Sequence, residues 1–462
     1  VSTAQFAAIA SANRGDSWIT GDSSGSYFNG SIVEDSSGNI YRLVSYSGVL
    51  TKLSADGKVI WEKTLGVSDE FRRMIILSDG SLILGGYLRD SYDKASLAKL
   101  NSSGDFVWHK RYLIGLEVVT FSPYIVSDAS GSNLYMSLTR INDGGDPNTD
   151  PYYATISKVS SADGSITWTR ELAQPNGYRC YVSNIDLDSS GNLYATGYYK
   201  IDGAGNSGNS WRGYLAKFNS SGTIQWQKEI TRTAVGDYTD YLFMDTVSID
   251  SSNNVYVTGE YRFADTPQFG TEAYYARFNT SGTLLDHKAI RADAALTQNF
   301  PSDWTYVNAY AYGSNCYVVM YGYPDSSVTN SRLMYIVKFS GSTILYSRLV
   351  ATGTGTPPSA NLIIDDLTIA STGKMLFYGS RYSPLPTENF IASLPNDGSE
   401  TGNYAPRNMI ITYRPESLIT ATPPVTVGSG VLTERAATES YTVSTISSSS
   451  SSASYDHYTK RF

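Results

Sequence analysis

The chain repeats itself. The stretch "DSSGNLYATGYY" (188–199) is followed after a loop by "YLAKFNSSGTIQWQKEI" (214–230), and near copies stand at "DSSGNIY" from Asp35, "DSSNNVYVTGEY" from Asp250, "AKLNSSGDFVWHK" from Ala98 and "ARFNTSGTLLDHK" from Ala276. A sentence rewritten at intervals encodes units too small to hide their own apolar faces, so that each must lean on the next. At 462 residues the chain exceeds one ordinary domain, and the repetition favours a single architecture of many small parts over several unrelated domains.

Each unit reads as four short β runs. In the fourth copy these are "NIDLD" (184–188), "LYATGYY" (193–199), "YLAKFN" (214–219) and "TIQWQKEI" (223–230), joined by "SSGN", a long loop and "SSG". Apolar and polar residues alternate within the runs, as in strands. In the turns an Asp or Asn side chain bonds backbone two residues on, and Gly takes the left-handed position that closes the hairpin. First strands recur at 30–35, 73–78, 124–128, 184–188, 245–250, 307–312 and 365–370, which makes seven units. Their spacing of roughly forty to sixty residues suits the four-stranded blades of a β-propeller. The expected fold is therefore all-β: a seven-bladed β-propeller of four-stranded antiparallel blades over residues 30–404, with an N-terminal segment, 1–29, and a C-terminal arm, 405–462.

The last strand of a unit carries an aromatic, any residue, then a base: Trp61 and Lys63, Trp108 and Lys110, Trp168 and Arg170, Trp226 and Lys228, Tyr346 and Arg348; in the fifth unit Asp286 precedes Lys288. Residues two apart share a strand face, so the alkyl stem lies along the ring and the pair is expected to staple blade to blade. The seventh unit lacks this strand, and "DSWIT" (16–20) precedes the first. The strand around Trp18 is expected to complete the blade begun at Asp365 and close the ring, with "NMIITY" (408–413) as the competing candidate.

Composition narrows function. Tyrosine is plentiful, 37 residues against 15 Phe, which suits pleated surfaces. A net charge of −8 without a basic block gives no footprint for nucleic acid, and no apolar run approaches a membrane span. Cys180 and Cys316 fall in non-neighbouring units and read as small buried hydrophobes. The arm, rich in Ser, Thr, Ala and Val, reads alone as a flexible or extended segment, yet its alternating "SYTVSTI" suits it to adding as a strand to a neighbour's sheet; an arm bound to a partner is the expectation, with plain disorder as the alternative.

Chemistry-bearing residues are sparse. His109 and His287 stand between the aromatic position and the base of outer strands and read as solvent-facing; His457 is in the arm. "GDSSG" (21–25) superficially resembles a serine-protease nucleophile segment but has no His-bearing partner segment. Asp143, Asp146 and Asp150 in "DGGDPNTD" form the one acidic loop with several oxygens, a weak calcium candidate, and no cofactor is expected. Alternation puts both tight hairpins of every blade on one rim and the long, variable connections on the other. Those connections carry Tyr199, Trp211, Tyr238, Phe263 and Trp304, the candidate ligand-binding residues, because aromatic faces flanked by polar groups suit sugars or protein surfaces.

The segment 188–230 resembles the seven-bladed β-propeller repeat family of bacteria and their phages, a similarity that covers roughly residues 30 to 404. The repeat-plus-Ser/Thr-tail layout is similar to predicted structural, tail or fibre-type, proteins of tailed marine phages. That resemblance implies a non-enzymatic structural or attachment protein located in the virion, with other virion proteins or copies of itself as partners through the arm and a host-surface glycan or protein as ligand. The alternatives are a secreted or cell-surface bacterial adhesion propeller and a propeller lyase or glycan hydrolase.

Overall fold

A computed structural model describes residues 18–22, 30–45, 47–88, 94–114, 123–141, 152–173, 179–201, 210–232, 241–265, 268–292, 306–322, 333–352, 362–370, 373–381, 388–399, 401–404, 411–415, 418–421, 425–429, 433–436, 441–445, 451–452 and 457–461. All regular structure among them is β. After β1 (Trp18–Asp22), blade 1 comprises β2 (Gly30–Glu34), β3 (Ile40–Val44), β4 (Val49–Leu53) and β5 (Val59–Thr64). Blade 2 follows with β6 (Asp69–Ile76), β7 (Leu82–Leu88), β8 (Lys94–Leu100) and β9 (Phe106–Ile114), and blade 3 with β10 (Tyr124–Ser127), β11 (Asn133–Ile141), β12 (Tyr152–Ser160) and β13 (Ile166–Ala173). Blade 4 holds β14 (Cys180–Leu187), β15 (Leu193–Ile201), β16 (Ser210–Phe218) and β17 (Ile224–Arg232), and blade 5 holds β18 (Tyr241–Ile249), β19 (Val255–Asp265), β20 (Gln268–Phe278) and β21 (Leu284–Ala292). Blade 6 is β22 (Tyr306–Tyr312), β23 (Asn315–Gly322), β24 (Leu333–Ser340) and β25 (Thr343–Thr352); blade 7 is β26 (Leu362–Ile369), β27 (Lys374–Arg381), β28 (Glu388–Pro395) and β1.

Strand β1 pairs antiparallel with β28, Trp18 opposite Ser393, so the N-terminal strand closes the ring as expected. The first strands β2, β6, β10, β14, β18, β22 and β26 neighbour one another in that order, and β26 returns to β2. Each is the inner edge of its blade, with backbone groups that need partners. Side chains of the preceding blade supply them. Asn184 Oδ1 and Asp186 Oδ2 accept the N–H groups of Val247 (3.4 Å) and Ile249 (2.8 Å). Asp245 and Ser248 do the same for Val307 and Ala311, Asp366 for Ile32, and Ser31 for Met74.

The aromatic–base pairs of the outer strands do staple blades. The indole N–H groups of Trp108, Trp168 and Trp226 donate to the carbonyls of Ser161 (3.1 Å), Ser220 (3.3 Å) and Thr280 (3.0 Å), each in the second hairpin turn of the next blade. The turn glycine makes room: Gly222 has φ +82°, and a Cβ there would stand 3.1 Å from the Trp168 ring. Where Asp286 replaces the aromatic, it binds Arg277 at 2.7 Å, and Gly341 of blade 6 settles over that guanidinium instead.

The described strands of the arm fold back onto this chain's own ring. After β29 (Gly402–Tyr404), the strands β30 (Ile411–Pro415), β31 (Leu418–Ala421), β32 (Val425–Ser429), β33 (Thr433–Ala436), β34 (Tyr441–Thr445), β35 (Ser451–Ser452) and β36 (His457–Arg461) each add antiparallel to this chain's own ring. They take the blades in reverse order, pairing β25, β21, β17, β13, β9 and β5, and finally β1. The arm is thus a belt that gives every blade a further strand. The competing ring-closing candidate, 408–413, contributes to β30 on blade 6 rather than to blade 7. Belt pairing reaches back only to Lys63, Lys110, Arg170, Lys228, Ala289 and Arg348. Just before those positions each outer strand of blades 1–6 has a bulge, whose extra residue is Ile60, Val107, Thr167, Gln225, Leu285 or Leu345. A bulge twists the edge and ends a ladder, so it sets where the belt stops.

Candidate functional site

The long connections meet the strands at one rim, and the strand ends there decide which side chains face it. Between blades 3, 4 and 5 these ends bring together Tyr152, Tyr181, Tyr198, Trp211 and Phe243. Ring centroids follow one another at 5.1 Å (Tyr152–Tyr181), 4.8 Å (Tyr181–Tyr198) and 4.6 Å (Tyr198–Phe243), with Trp211 5.5 Å from Tyr198 and 5.8 Å from Phe243. Tyr152 and Tyr181 are buried, while Tyr198, Trp211 and Phe243 are half-buried. The rings pack mostly edge to face, which fixes them as a wall. A backbone bridge from Trp211 to Tyr241 links β16 to β18 and makes the wall rigid across the blade boundary. Burial pushes the Tyr181 and Tyr198 hydroxyls up in pKa, so both stay protonated and able to donate.

Of the residues expected on this rim, Trp211 belongs to the wall. Tyr199 does not: it is 1% exposed in the core of blades 3 and 4, and its hydroxyl donates to the Glu229 carboxylate. Successive strand residues face opposite ways, and it is Tyr198, one residue earlier, that joins the wall. Phe263 stands in β19 opposite Gly270. Tyr238, Trp304, Asp143, Asp146 and Asp150 lie outside the described residues. No group of three or more His, Cys, Asp or Glu among the described residues is placed to hold a metal ion.

The histidines correct an expectation. His109 is 1% exposed, and His287 is half-buried against Tyr274; neither faces solvent. A blade is covered on both faces by its neighbours, so alternation along an outer strand does not separate inside from outside. His109 Nε2 lies 2.9 Å from Ser96 Oγ and 3.4 Å from Asp69 Oδ2. Both partners meet the same ring nitrogen, whereas a relay needs the serine and the carboxylate on opposite nitrogens. Burial works to raise the Asp69 pKa, but hydrogen bonds from His109 and Arg111 outweigh it and hold the carboxyl down at about 2. Cys180 and Cys316 are buried free thiols in separate cores.

At the hub, burial pushes Asp186 up to about 7 and Asp365 up to about 8, the latter also through its neighbour Asp366. Asp365 Oδ2 and the buried Tyr378 hydroxyl have no hydrogen-bond partner. Folded-state values above the unfolded 3.8 mean that the native ring holds these protons more tightly. Their contribution to stability is complete below about pH 4 and is lost as pH rises through 7 to 8, at up to about 1.4 kcal/mol per pH unit per group. Thermal unfolding followed from pH 4.5 to 8.5 is expected to show a falling midpoint, and Asp365→Asn, which mimics the neutral acid, should flatten that slope and gain a few degrees at pH 8.5. An unchanged slope in the variant would assign the effect elsewhere.

The sequence matches no protein-family model and no curated protein. Among solved structures it is similar to virginiamycin B lyase from Staphylococcus aureus, at 13% identity over 79% of this chain and 94% of that one, with a TM-score of 0.40. Drosophila Plexin A in complex with Semaphorin 1b matches at 9% identity over 79% and 84%, TM-score 0.41, and a luciferin-regenerating enzyme at 11% over 82% and 97%, TM-score 0.34. The seven-bladed ring stands on this chain's own strand pairing, and likenesses this distant carry nothing about what it does.

Proposed function

We propose that the chain is a non-enzymatic attachment protein, a virion component of tail or fibre type, whose long-loop rim contacts a host-surface glycan or protein. The observation that carries the reading is the aromatic wall around Trp211, a rigid apolar surface with protonated hydroxyls at its side, held where the variable connections emerge. Support also comes from the hub, whose Asn184, Asp186, Asp245, Ser248, Asp366 and Ser31 are engaged in joining one blade to the next. The virion assignment rests on the repeat-plus-tail resemblance. Other virion proteins, or copies of the chain, have the outer edge of the belt to add to, since β31–β36 pair on one side only among the described residues.

The test is adhesion. The purified chain should bind cells or surface glycans of its host without releasing products, and Trp211→Ala should weaken that binding about tenfold or more while the ring stays folded by circular dichroism. Particles carrying the chain should label with antibody at a symmetric set of positions. Turnover of any glycan by the wild-type chain would replace this reading with the enzymatic one, and unlabelled particles with that of a secreted adhesion propeller.

A further inference from the structure

The wall has a charged end. Arg179, the residue before β14, lays its guanidinium over Tyr152 at 4.5 Å from the ring centroid and beside the Tyr181 hydroxyl. Several arginines elsewhere in the blades have carboxylates: Arg42 has Glu62, Arg111 has Asp69, Arg140 has Glu171, Arg212 has Glu229 and Arg277 has Asp286, while Arg170 and Arg348 donate to backbone carbonyls of the next blade. Arg179 has no carboxylate among the described residues, and its Nε is buried with no hydrogen-bond partner. A half-buried guanidinium beside an aromatic wall, with no carboxylate among the described residues, is suited to an anion from outside the chain.

A planar guanidinium takes a carboxylate in two-point contact. Beside it the rings offer faces for C–H surfaces. We infer that the ligand of this rim is an acidic glycan, with a uronate-type carboxylate on Arg179 and the sugar face on the Tyr181–Tyr198–Trp211 wall. This rests on the attachment reading and names its ligand class.

The probe is a pair of oligogalacturonides of equal length, one with free carboxylates and one fully methyl-esterified, titrated against the whole chain. The free acid is expected to bind about tenfold to a hundredfold more tightly, with a preference that shrinks as salt rises. Arg179→Gln should abolish that preference by weakening the free acid far more than the ester, Arg179→Lys should restore part of it, and Trp211→Ala should weaken both ligands alike. Equal affinity for acid and ester, or a preference that survives Arg179→Gln, overturns the inference. If neither oligosaccharide binds while the chain adheres to neutral glycans through Trp211, the inference fails and the attachment reading stands; if Trp211→Ala alters no binding at all, that reading fails with it.

Discussion

Removal of residues 416–462 is expected to make the chain aggregate in a concentration-dependent way while costing the ring only a few degrees of thermal midpoint. The deleted segment holds β31 to β36, fifth strands to six blades. Each of their backbone hydrogen bonds contributes about 1 kcal/mol net, but ordering each belt residue costs about 1–2 kcal/mol, so the two nearly cancel. What the deletion changes is the surface. The belt strands β31–β36, open on one side and two to five residues long, give way as edges to strands of five to nine residues, longer rows of open N–H and C=O groups that pair with any other chain. The hairpin-side half of these strands is already blunted by the bulges at Ile60, Val107, Thr167, Gln225 and Leu285. The half that the belt covers has no such protection. Light scattering across a dilution series checks this, with circular dichroism for the ring. A truncated chain that stays monomeric at high concentration would show that the belt is not an edge cover.

The second large effect is expected at Glu171. Its carboxylate meets the Arg140 guanidinium at 2.9 Å from β13 to β11, and the two side chains are 0% and 3% exposed. Removing one partner of a buried pair leaves the other charge in a medium that cannot solvate it, which costs about 3–5 kcal/mol. Glu171→Ala should therefore lower stability by that amount in denaturant unfolding. Arg140→Met with Glu171→Leu should recover most of it, because an apolar pair of similar volume pays no desolvation. A single variant as stable as the wild type would mean that water reaches Arg140. The same arrangement recurs in blade 1, where Arg42, Thr51 and Glu62 meet across three strands.

Much of this fold is legible in the residues. The turn chemistry at Asp188, Asn219 and Gly222 sets hairpin positions, the repeat count sets the number of blades, and the missing outer strand of the last unit points to Trp18. The belt was hidden for a physical reason: its strands are two to five residues long, have no hairpin turns of their own, and pair with partners far away in sequence. A segment such as "SYTVSTI" announces a strand but not whose sheet it joins. The inward placement of His109 was hidden because a blade has no solvent face to contrast with a buried one. At the rim, Tyr199 is buried in the blade core and Tyr198 packs against Trp211, because register decides the facing. Arg179 carries a signal only once the carboxylates of the other arginines are located.

Strand β1 lies between β28 and β36, with Trp18 opposite both Ser393 and Arg461. The ribosome therefore makes this strand several hundred residues before either of its neighbours. At cellular translation rates the interval is roughly half a minute, during which six blades can form while the seventh has no place to close. Newly made chains therefore pass through an open crescent with an unclaimed strand at its head, exposed until the last strands arrive.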